Sequence, residues 1–283
     1  MKREKHEDIR DRVRERYAEV ARMDPGCCCG GTSCSSVSTN PEEVSAKIGY
    51  TPEEMGAVPE GANLGLGCGN PQAIADLRPG ETVVDLGSGG GFDCFLAAKQ
   101  VGERGRVIGI DMTAEMVSKA RVNARNSAYR NVEFRLGEIE HLPVSDESAD
   151  VIISNCVINL SPDKPQVFRD AFRVLRKGGR LAVSDVVAIG QLPDDVKRNL
   201  DAYCGCVAGA ASVSDVKRML LEAGFSEVSV EVKDESREAI KGWFPGSGIE
   251  EYVRSADIKA RKQGCAPGCC VGLKSRKERK IGR

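Results

Sequence analysis

Cysteine is the residue type in this sequence that offers the most reactive side chains. The sequence has 283 residues and contains 12 cysteines. Because the sequence carries no export signal, thiols at this density favour metal binding, redox chemistry or nucleophilic reactions over structural disulfides. Seven lie near the ends of the chain, namely Cys27, Cys28, Cys29, Cys34, Cys265, Cys269 and Cys270. The other five are internal: Cys68, Cys94, Cys156, Cys204 and Cys206.

Three internal cysteines have settings that core packing does not require. Cys156 directly follows a predicted strand, in SNCVINL, and ligands of open α/β sheets bind at that end of the strands. Cys68 and Cys206 lie in the glycine-flanked loops GCGNP and GCVAGA. A free cysteine is often only a small buried apolar residue, which is our interpretation of Cys94. We expect the other three thiols, with Cys204 as an open candidate, to converge on one ligand site.

The spacing of these thiols argues against zinc. The three positions lie 88 and 50 residues apart, whereas structural zinc sites use close Cys-x-x-Cys pairs. A soft ion suits thiolates better, and trivalent arsenic bound by three thiolates keeps a lone pair that can attack a methyl group. Such a nucleophile has no proton to lose. This agrees with the absence of a convincing general base, since neither His6 nor His141 is well placed as a catalyst.

A glycine-rich turn predicts the cofactor site. In VVDLGSGGGFD a strand runs into a helix, and the turn glycines let a ligand approach the backbone closely. Asp111 ends the second predicted strand, 20 residues after Gly91, where a carboxylate can accept hydrogen bonds from both ribose hydroxyls. The Gly-x-Gly-x-Gly spacing after Asp85 resembles the signature of S-adenosylmethionine-dependent methyltransferases more than the turn of dinucleotide-binding proteins.

The elements that must position these residues alternate between strand and helix. Buried parallel strands are predicted at residues 82–86, 106–111, 132–136, 150–155 and 180–185, with a sixth near 226–234. Helices are predicted at 92–101, 114–126, 165–176 and 212–224, the third ending at the segment 177–179. The alternation predicts an α/β fold with a doubly wound, Rossmann-like class I methyltransferase sheet.

The chain divides into three predicted parts. Residues 1–60 hold an amphipathic helix over 3–22, which should pack on the main body, and a cysteine-rich loop. Residues 61–232 form the methyltransferase core. Residues 233–283 form a short C-terminal segment, weakly patterned up to residue 262, and a cysteine-containing basic tail.

Composition excludes several classes of function. With 41 basic and 42 acidic residues and a net charge of -1, the chain lacks the positive field of a nucleic-acid-binding protein. No stretch approaches the roughly 20 apolar residues of a membrane span, and the N-terminus is charged from its second residue. We therefore expect a cytoplasmic protein with no membrane or nucleic-acid partner.

Seven segments together resemble the arsenite S-adenosylmethionine methyltransferases of prokaryotic type over residues 60–230: GCGNP, VVDLGSGGGFD, GIDMT, GEIEHLP, SNCVINL, VLRKGGRLAVSDV and GCVAGA. The resemblance implies that Cys156 and Cys206 bind arsenic and that Cys68 is a third arsenic-related cysteine. A fourth family cysteine lies in the N-terminal loop, where Cys27, Cys28, Cys29 and Cys34 all stay candidates and Cys34 is the preferred match. The implied contacts to S-adenosylmethionine come from Asp85, Gly87, Ser88, Gly89, Gly91, Asp111, Met112, Glu138, Ile139 and Asn155.

The resemblance also implies a catalytic cycle in which the enzyme's own thiols form a disulfide and return two electrons to the methylated arsenic. A thioredoxin-like or glutathione system would then reduce the disulfide. Two alternatives stay open. The protein could methylate a small organic acceptor, or it could be a non-catalytic, thiol-rich module that binds metalloids.

Overall fold

The computed structural model of the protein describes residues 2–22, 40–194, 196, 203, 205–243 and 246–264. The predictions for Cys27, Cys28, Cys29, Cys34, Cys204 and the tail from Cys265 onward lie outside these residues. The strands are β1 (Thr82–Leu86), β2 (Arg106–Asp111), β3 (Val132–Leu136), β4 (Ala149–Asn155), β5 (Leu175–Ala188), β6 (Ala211–Ser212), β7 (Ser226–Lys233) and β8 (Val253–Arg261).

The α-helices of the described residues are α1 (Lys2–Arg22), α2 (Pro41–Lys47), α3 (Pro52–Met55), α4 (Gln72–Ala75), α5 (Phe92–Val101), α6 (Ala114–Asn126), α7 (Lys164–Val174), α8 (Val213–Glu222) and α9 (Arg237–Lys241). No described helix is both long enough and apolar enough to cross a lipid bilayer.

The strands form one sheet in the order β3-β2-β1-β4-β5-β8-β7, and β6 pairs with β5. The first five strands of this order are parallel to one another, whereas β8 is antiparallel to both β5 and β7. The six predicted strands are all present. The prediction of a doubly wound α/β sheet is therefore confirmed.

The central strands are apolar on both sides because helices cover both faces of the sheet. Ile152 and Ile153 of β4 are both fully buried, but they belong to hydrophobic clusters on opposite faces. This follows from the two-residue repeat of a strand. Burying one such side chain contributes about 1.5–3 kcal/mol, so these continuous apolar runs specify the centre of the sheet.

Two parts of the chain differ from the sequence prediction. Helix α7 ends at Val174, and the expected stop at 177–179 lies inside β5, which begins at Leu175. The pairing of β4 with β5 shifts register across this segment, where Gly178 has a φ of +83°. The two glycines therefore accommodate an irregularity in a strand rather than ending a helix.

The second difference is β8, which lies in the segment that the sequence leaves without a clear pattern. The predicted boundary at residue 232 therefore excludes a strand that belongs to the central sheet. Its sequence, VRSADIKAR, shows no regular alternation of apolar and polar residues. Several of its polar residues are buried, and some of their partners lie on other strands. Asp257, for example, pairs with Lys233 at 2.8 Å and accepts a hydrogen bond from Ser184.

Helix α1 packs against the main body, as predicted. Val13, on its apolar face, is 1% exposed. On the adjoining face, Arg14 pairs with Glu138 at 2.9 Å and Arg10 pairs with Glu140 at 3.3 Å, both in the loop that follows β3. The helix thus covers the carboxyl-end edge of the sheet.

Candidate functional site

A cavity of about 460 Å³ opens at the carboxyl ends of β1, β2 and β4. Helix α1 forms one wall through Val13, Tyr17 and Val20, and the loop before α4 contributes a second wall. Ligands of open α/β sheets bind at this edge. The cavity is therefore the candidate site of the protein.

The glycine turn after β1 shapes the floor of the cavity. Gly87 has a φ of +72°, and a Cβ added there would lie 2.5 Å from Val157 Cγ2. A Cβ added at Gly89, which has a φ of +50°, would meet no atom within 4 Å and would project into open space. The first glycine is thus required by packing, while the second leaves room for a ligand.

Asp111 ties this turn to the end of β2. Its Oδ2 accepts a hydrogen bond from the Gly89 N–H at 3.0 Å, and its Oδ1 accepts one from the Thr113 N–H at 2.8 Å. Burial raises the pKa of Asp111, although the hydrogen bonds from Thr113 and Gly89 oppose the shift. The carboxylate is therefore held at the cavity wall in a fixed orientation.

Eight of the ten predicted cofactor contacts line the cavity: Asp85, Gly87, Ser88, Gly89, Asp111, Met112, Ile139 and Asn155. Gly91 does not line it and instead caps the N-terminus of α5. Glu138 does not line it either, since its carboxylate pairs with Arg14 and Arg10 of α1. Whether these ten residues bind the cofactor stays a prediction.

The cavity has features that suit a cationic sulfonium and a ribose. The three carboxylates of Asp85, Asp93 and Asp111 line it, and Ser88 Oγ is buried without a hydrogen-bond partner in the described part of the chain. Burial, and then the charge of Asp93, raises the pKa of Asp85. A cation bound beside these carboxylates would relieve their mutual repulsion.

The three predicted thiols meet at one end of the cavity. The sulfurs of Cys68 and Cys156 lie within 4.8 Å of each other. In addition, the Cys206 Sγ donates to the Cys156 carbonyl at 2.7 Å, and the Cys68 Sγ donates to the Ser184 carbonyl at 3.6 Å. Cys156 and Cys206 line the cavity, whereas Cys68 is buried beside them. Cys94 is fully buried elsewhere, in agreement with its interpretation as a core residue.

The environment of the three thiols disfavours their ionised forms. Burial raises the pKa of Cys68 to about 11. The pKa of Cys206 is raised by its hydrogen bond with Cys156 and then by burial. For Cys156, the hydrogen bond with Cys206 lowers the pKa, but the one with Cys68 and burial together raise it. Protonated thiols at neutral pH exchange their protons for a soft ion when they bind it.

Two of these thiols lie on a backbone conformation that is uncommon for residues with a side chain. Cys156 has a φ of +57° and Cys206 a φ of +64°. The left-handed region costs about 1–2 kcal/mol per residue outside glycine, and such conformations cluster at functional sites. The Cys156 N–H is held by a 2.8 Å hydrogen bond to the Ser184 carbonyl, which helps to fix the conformation.

Asn155 connects the cofactor end of the cavity to the thiol end. Its Oδ1 accepts the Cys68 N–H at 3.1 Å, and its Nδ2 donates to Tyr50 Oη at 3.0 Å and to the Gly69 carbonyl at 2.9 Å. Tyr50 in turn donates to Asp93 Oδ1 at 2.7 Å. Neither Tyr50 nor Asp93 was predicted from the sequence. For Asp93 the one sequence signal is its position two residues after Gly91, at the end of the glycine-rich turn.

Asp185 is a third residue of the site that was not predicted from the sequence. An oxygen of its carboxylate and the sulfurs of Cys68 and Cys156 all lie within 4.8 Å of one another. Burial raises the pKa of Asp185 to about 6, against hydrogen bonds from the backbone and the charge of Lys164. Its position within β5 gives it the sequence pattern of an ordinary strand residue.

Comparisons with known proteins agree with this geometry. A family model described as a methyltransferase domain matches residues 77–224. An arsenite methyltransferase of Halobacterium salinarum is 54% identical over 263 residues, which cover 90% of this chain and 67% of that protein. One from Aquipseudomonas alcaligenes is 42% identical, and this chain spans only 50% of its length.

Among solved structures, an arsenic(III) S-adenosylmethionine methyltransferase from Chlamydomonas reinhardtii superposes with a TM-score of 0.60 at 32% identity. The match covers 81% of this chain and 76% of that one. The glycine turn, the thiol cluster and these matches lead to one assignment: the chain belongs to the arsenite methyltransferase family of S-adenosylmethionine-dependent methyltransferases.

Proposed function

We propose that this protein methylates trivalent arsenic, presented as arsenite or a thiol conjugate, with S-adenosylmethionine as methyl donor. The observation that carries the proposal is the position of three thiols at the end of the cofactor cavity. The sulfurs of Cys68 and Cys156 lie within 4.8 Å of each other, the Cys206 thiol donates to the Cys156 carbonyl, and Cys156 and Cys206 line the cavity. Three thiolates are the ligand set that a soft, pyramidal ion prefers.

The residues that would hold S-adenosylmethionine are the Gly87–Gly89 turn, Asp85, Asp111 and Asn155. When bound, it would supply an electrophilic methyl group, whose carbon the arsenic lone pair would attack with the sulfonium sulfur as leaving group. Asp111 would bind the ribose, and the carboxylates lining the cavity would attract the positively charged sulfonium group of the donor. Because the arsenic carries its own lone pair, the chain need only position it, and positioning can supply much of the rate enhancement.

The thiols hold the substrate in this proposal. Cys156 and Cys206 line the cavity and are the proposed arsenic ligands. Cys68, whose sulfur lies within 4.8 Å of that of Cys156, completes a three-thiol site. We further propose that Cys68 and one N-terminal thiol serve the return of two electrons to arsenic. A disulfide formed in that step would be reduced by a thioredoxin-like protein or glutathione in a reducing, cytoplasmic compartment.

The anchors of the N-terminal cysteine segment support its access to the site. Before the segment, Arg22 pairs with Glu115, which follows the cavity-lining Met112 and Thr113. After it, Pro41 packs on Gly65 of the cavity wall, where an added Cβ would lie 3.0 Å from the Pro41 Cα. The described residues on either side of this segment, Arg22 and Pro41, therefore both lie near the cavity.

One assay tests the proposal against its alternatives. Purified protein is incubated with arsenite, a thiol reductant and S-adenosylmethionine, and arsenic species are separated by chromatography and identified by mass spectrometry. We expect methylated arsenic together with S-adenosylhomocysteine. Turnover of the donor with an organic acceptor but not with arsenite would indicate a small-molecule methyltransferase. Tight arsenite binding without methyl transfer would indicate a sequestering module.

Replacing Asp111 by alanine is expected to weaken S-adenosylmethionine binding by about 1.5–3 kcal/mol, the scale of hydrogen bonds to a charged group. The variant loses the proposed ribose contact and the hydrogen bond that orients the Gly89 N–H. Titration calorimetry measures the affinity, and arsenite binding without donor should change little. Unchanged donor affinity would remove Asp111 from the site.

Ending the chain after Gln263 is expected to preserve folding and methylation at saturating arsenite. Strand β8 runs antiparallel to β5, so Arg261 pairs with Arg180, about 13 Å along the strand from the level of Ser184 beside the thiols. The tail thus starts at the opposite edge of the sheet. Loss of turnover with an unchanged melting curve would show that the tail, for instance as a thiol arm that gathers arsenite, takes part in the reaction.

A chain ended after Arg261 is the matched control for this truncation. It also lacks Lys262, whose Nζ donates to the carbonyls of Phe172 at 2.9 Å and Leu175 at 2.8 Å. We expect this shorter chain to melt at a lower temperature than the one that ends after Gln263.

A further inference from the structure

Asp185 has no part in the function proposed above, yet it lies against the thiols. It is 2% exposed, and one of its carboxylate oxygens lies within 4.8 Å of the sulfurs of both Cys68 and Cys156. An arsenic atom held by these two sulfurs would have this oxygen as its neighbour. Among the described residues, Asp185 is the carboxylate that lies this close to two of the thiols.

Neutral donors hold this carboxylate in place. Its Oδ2 accepts a hydrogen bond from the Ile158 N–H at 3.0 Å. Its Oδ1 accepts one from the Asn159 side-chain amide at 2.9 Å and one from the N–H of the next residue, Val186, at 2.7 Å. Such donors stabilise a carboxylate in its charged form without cancelling the charge. Within the described part of the chain it forms no ion pair, and the nearby ammonium of Lys164 donates instead to the Ser161 carbonyl at 3.1 Å.

Methyl transfer to arsenic moves a positive charge toward this oxygen. The arsenic lone pair becomes the new As–C bond, and the electrons of the breaking C–S bond return to the donor sulfur, which becomes a neutral thioether. Arsenic bound by three thiolates is neutral before the step and carries one positive charge after it. A cation formed in a buried site is costly unless an opposite charge lies beside it.

We propose that the Asp185 carboxylate stabilises the positive charge that arsenic acquires in the transition state of methyl transfer. The inference rests on the proposed function and adds a charge partner to its thiol ligands. An oriented charge that awaits the developing charge of the transition state is one of the largest contributions to enzymatic rates. Because arsenic is neutral before the step, the carboxylate should affect the rate far more than the affinity for arsenite.

The test compares Asp185→Asn with the native protein in single-turnover experiments with arsenite-loaded protein. We expect the rate of methyl transfer to fall by about 100-fold, the effect of removing one preorganised electrostatic group. The dissociation constant of arsenite, followed through the fluorescence of Trp243, the single tryptophan and a residue of the cavity wall, should stay within about threefold. Equal losses of rate and affinity would overturn the proposal.

Asn159→Ala is the matched control, because it removes one donor to the same carboxylate and leaves the charge. Its rate should stay within about fivefold of native, and a fall as large as that of Asp185→Asn would show that the carboxylate only positions the loop. If Asp185→Asn does not keep the native melting curve, Asp185→Ser, which retains an oxygen acceptor, replaces it. If neither variant folds, Asp185 is a structural residue and the proposal is wrong.

The same experiments separate this inference from the proposed function. Native protein that binds arsenite but transfers no methyl group contradicts the proposed function itself. Native protein that methylates arsenite, together with an Asp185→Asn variant of equal rate, contradicts only the role of Asp185.

Discussion

Serine in place of Cys156 or Cys206 is expected to abolish methylation of both arsenite and trivalent monomethylarsenic. The hydroxyl of serine is a hard, weakly acidic group that does not replace a thiolate on a soft ion. These two thiols line the cavity, whereas Cys68 is buried beside them and does not line it, so Cys68 does not replace either ligand at the cavity wall. Product speciation on each substrate measures the loss. Near-normal turnover of either variant on both substrates would refute the proposed ligand set.

Serine in place of Cys68 or Cys34 should have a different effect. Monomethylarsenic needs only two thiol ligands, so its methylation should survive, while methylation of inorganic arsenite should be impaired. If only the Cys34 variant behaves like the native protein, the same measurement on Cys27, Cys28 and Cys29 identifies the N-terminal thiol. Cys269→Ser, the same replacement in the tail, is the control and should leave both reactions unchanged.

Alanine in place of Gly87 is expected to lower the free energy of unfolding by about 2–5 kcal/mol and to abolish turnover. About 1–2 kcal/mol comes from the left-handed backbone at a φ of +72°. A further 1–3 kcal/mol, roughly, comes from overpacking, since the new Cβ would lie 2.5 Å from Val157 Cγ2. Val157 follows Cys156, so its displacement also moves an arsenic ligand. Urea unfolding followed by circular dichroism gives the stability.

Gly178→Ala isolates the backbone contribution to that loss. Gly178 also has a positive φ, of +83°, but an added Cβ would meet no atom within 4 Å. We expect it to cost only the roughly 1–2 kcal/mol of the left-handed conformation and to leave turnover intact. Equal destabilisation by the two substitutions would mean that the contact with Val157 plays no part.

The sequence by itself determined the centre of the sheet and the turn that follows β1. The predicted strands at 82–86, 106–111 and 132–136 have the bounds that the structure gives them. The first two lie inside the sheet and need apolar runs because both of their faces are covered, whereas the strand at 132–136 is an edge strand that alternates apolar and polar residues. The sequence also placed Cys156 directly after β4, because a residue that follows an apolar run of a parallel sheet lies at the carboxyl end of that strand. A hydrophobic pattern reflects the burial of the same residues, and each of these features lies within one short segment of the chain.

Tertiary structure alone decided the partners of polar residues. β8 joins the sheet although its sequence has no apolar run, because Asp257 meets Lys233 and Ser184 from other strands. Glu138, a predicted cofactor contact, pairs with Arg14 of α1, a partner that the sequence does not indicate. Such pairings join residues far apart in the chain and leave no periodic trace in either segment.

The thiol site itself combines both kinds of information. Residue type and glycine-rich surroundings identified Cys68 and Cys206, but only the order of the strands brings them to Cys156, 88 and 50 residues away. The sequence gives no sign of the role of Asp185. Its charge is compatible with a central strand because the Ile158 N–H, the Asn159 side-chain amide and the Val186 N–H donate hydrogen bonds to it. A buried charge is specified by the donors around it, and those donors come together only in the folded chain.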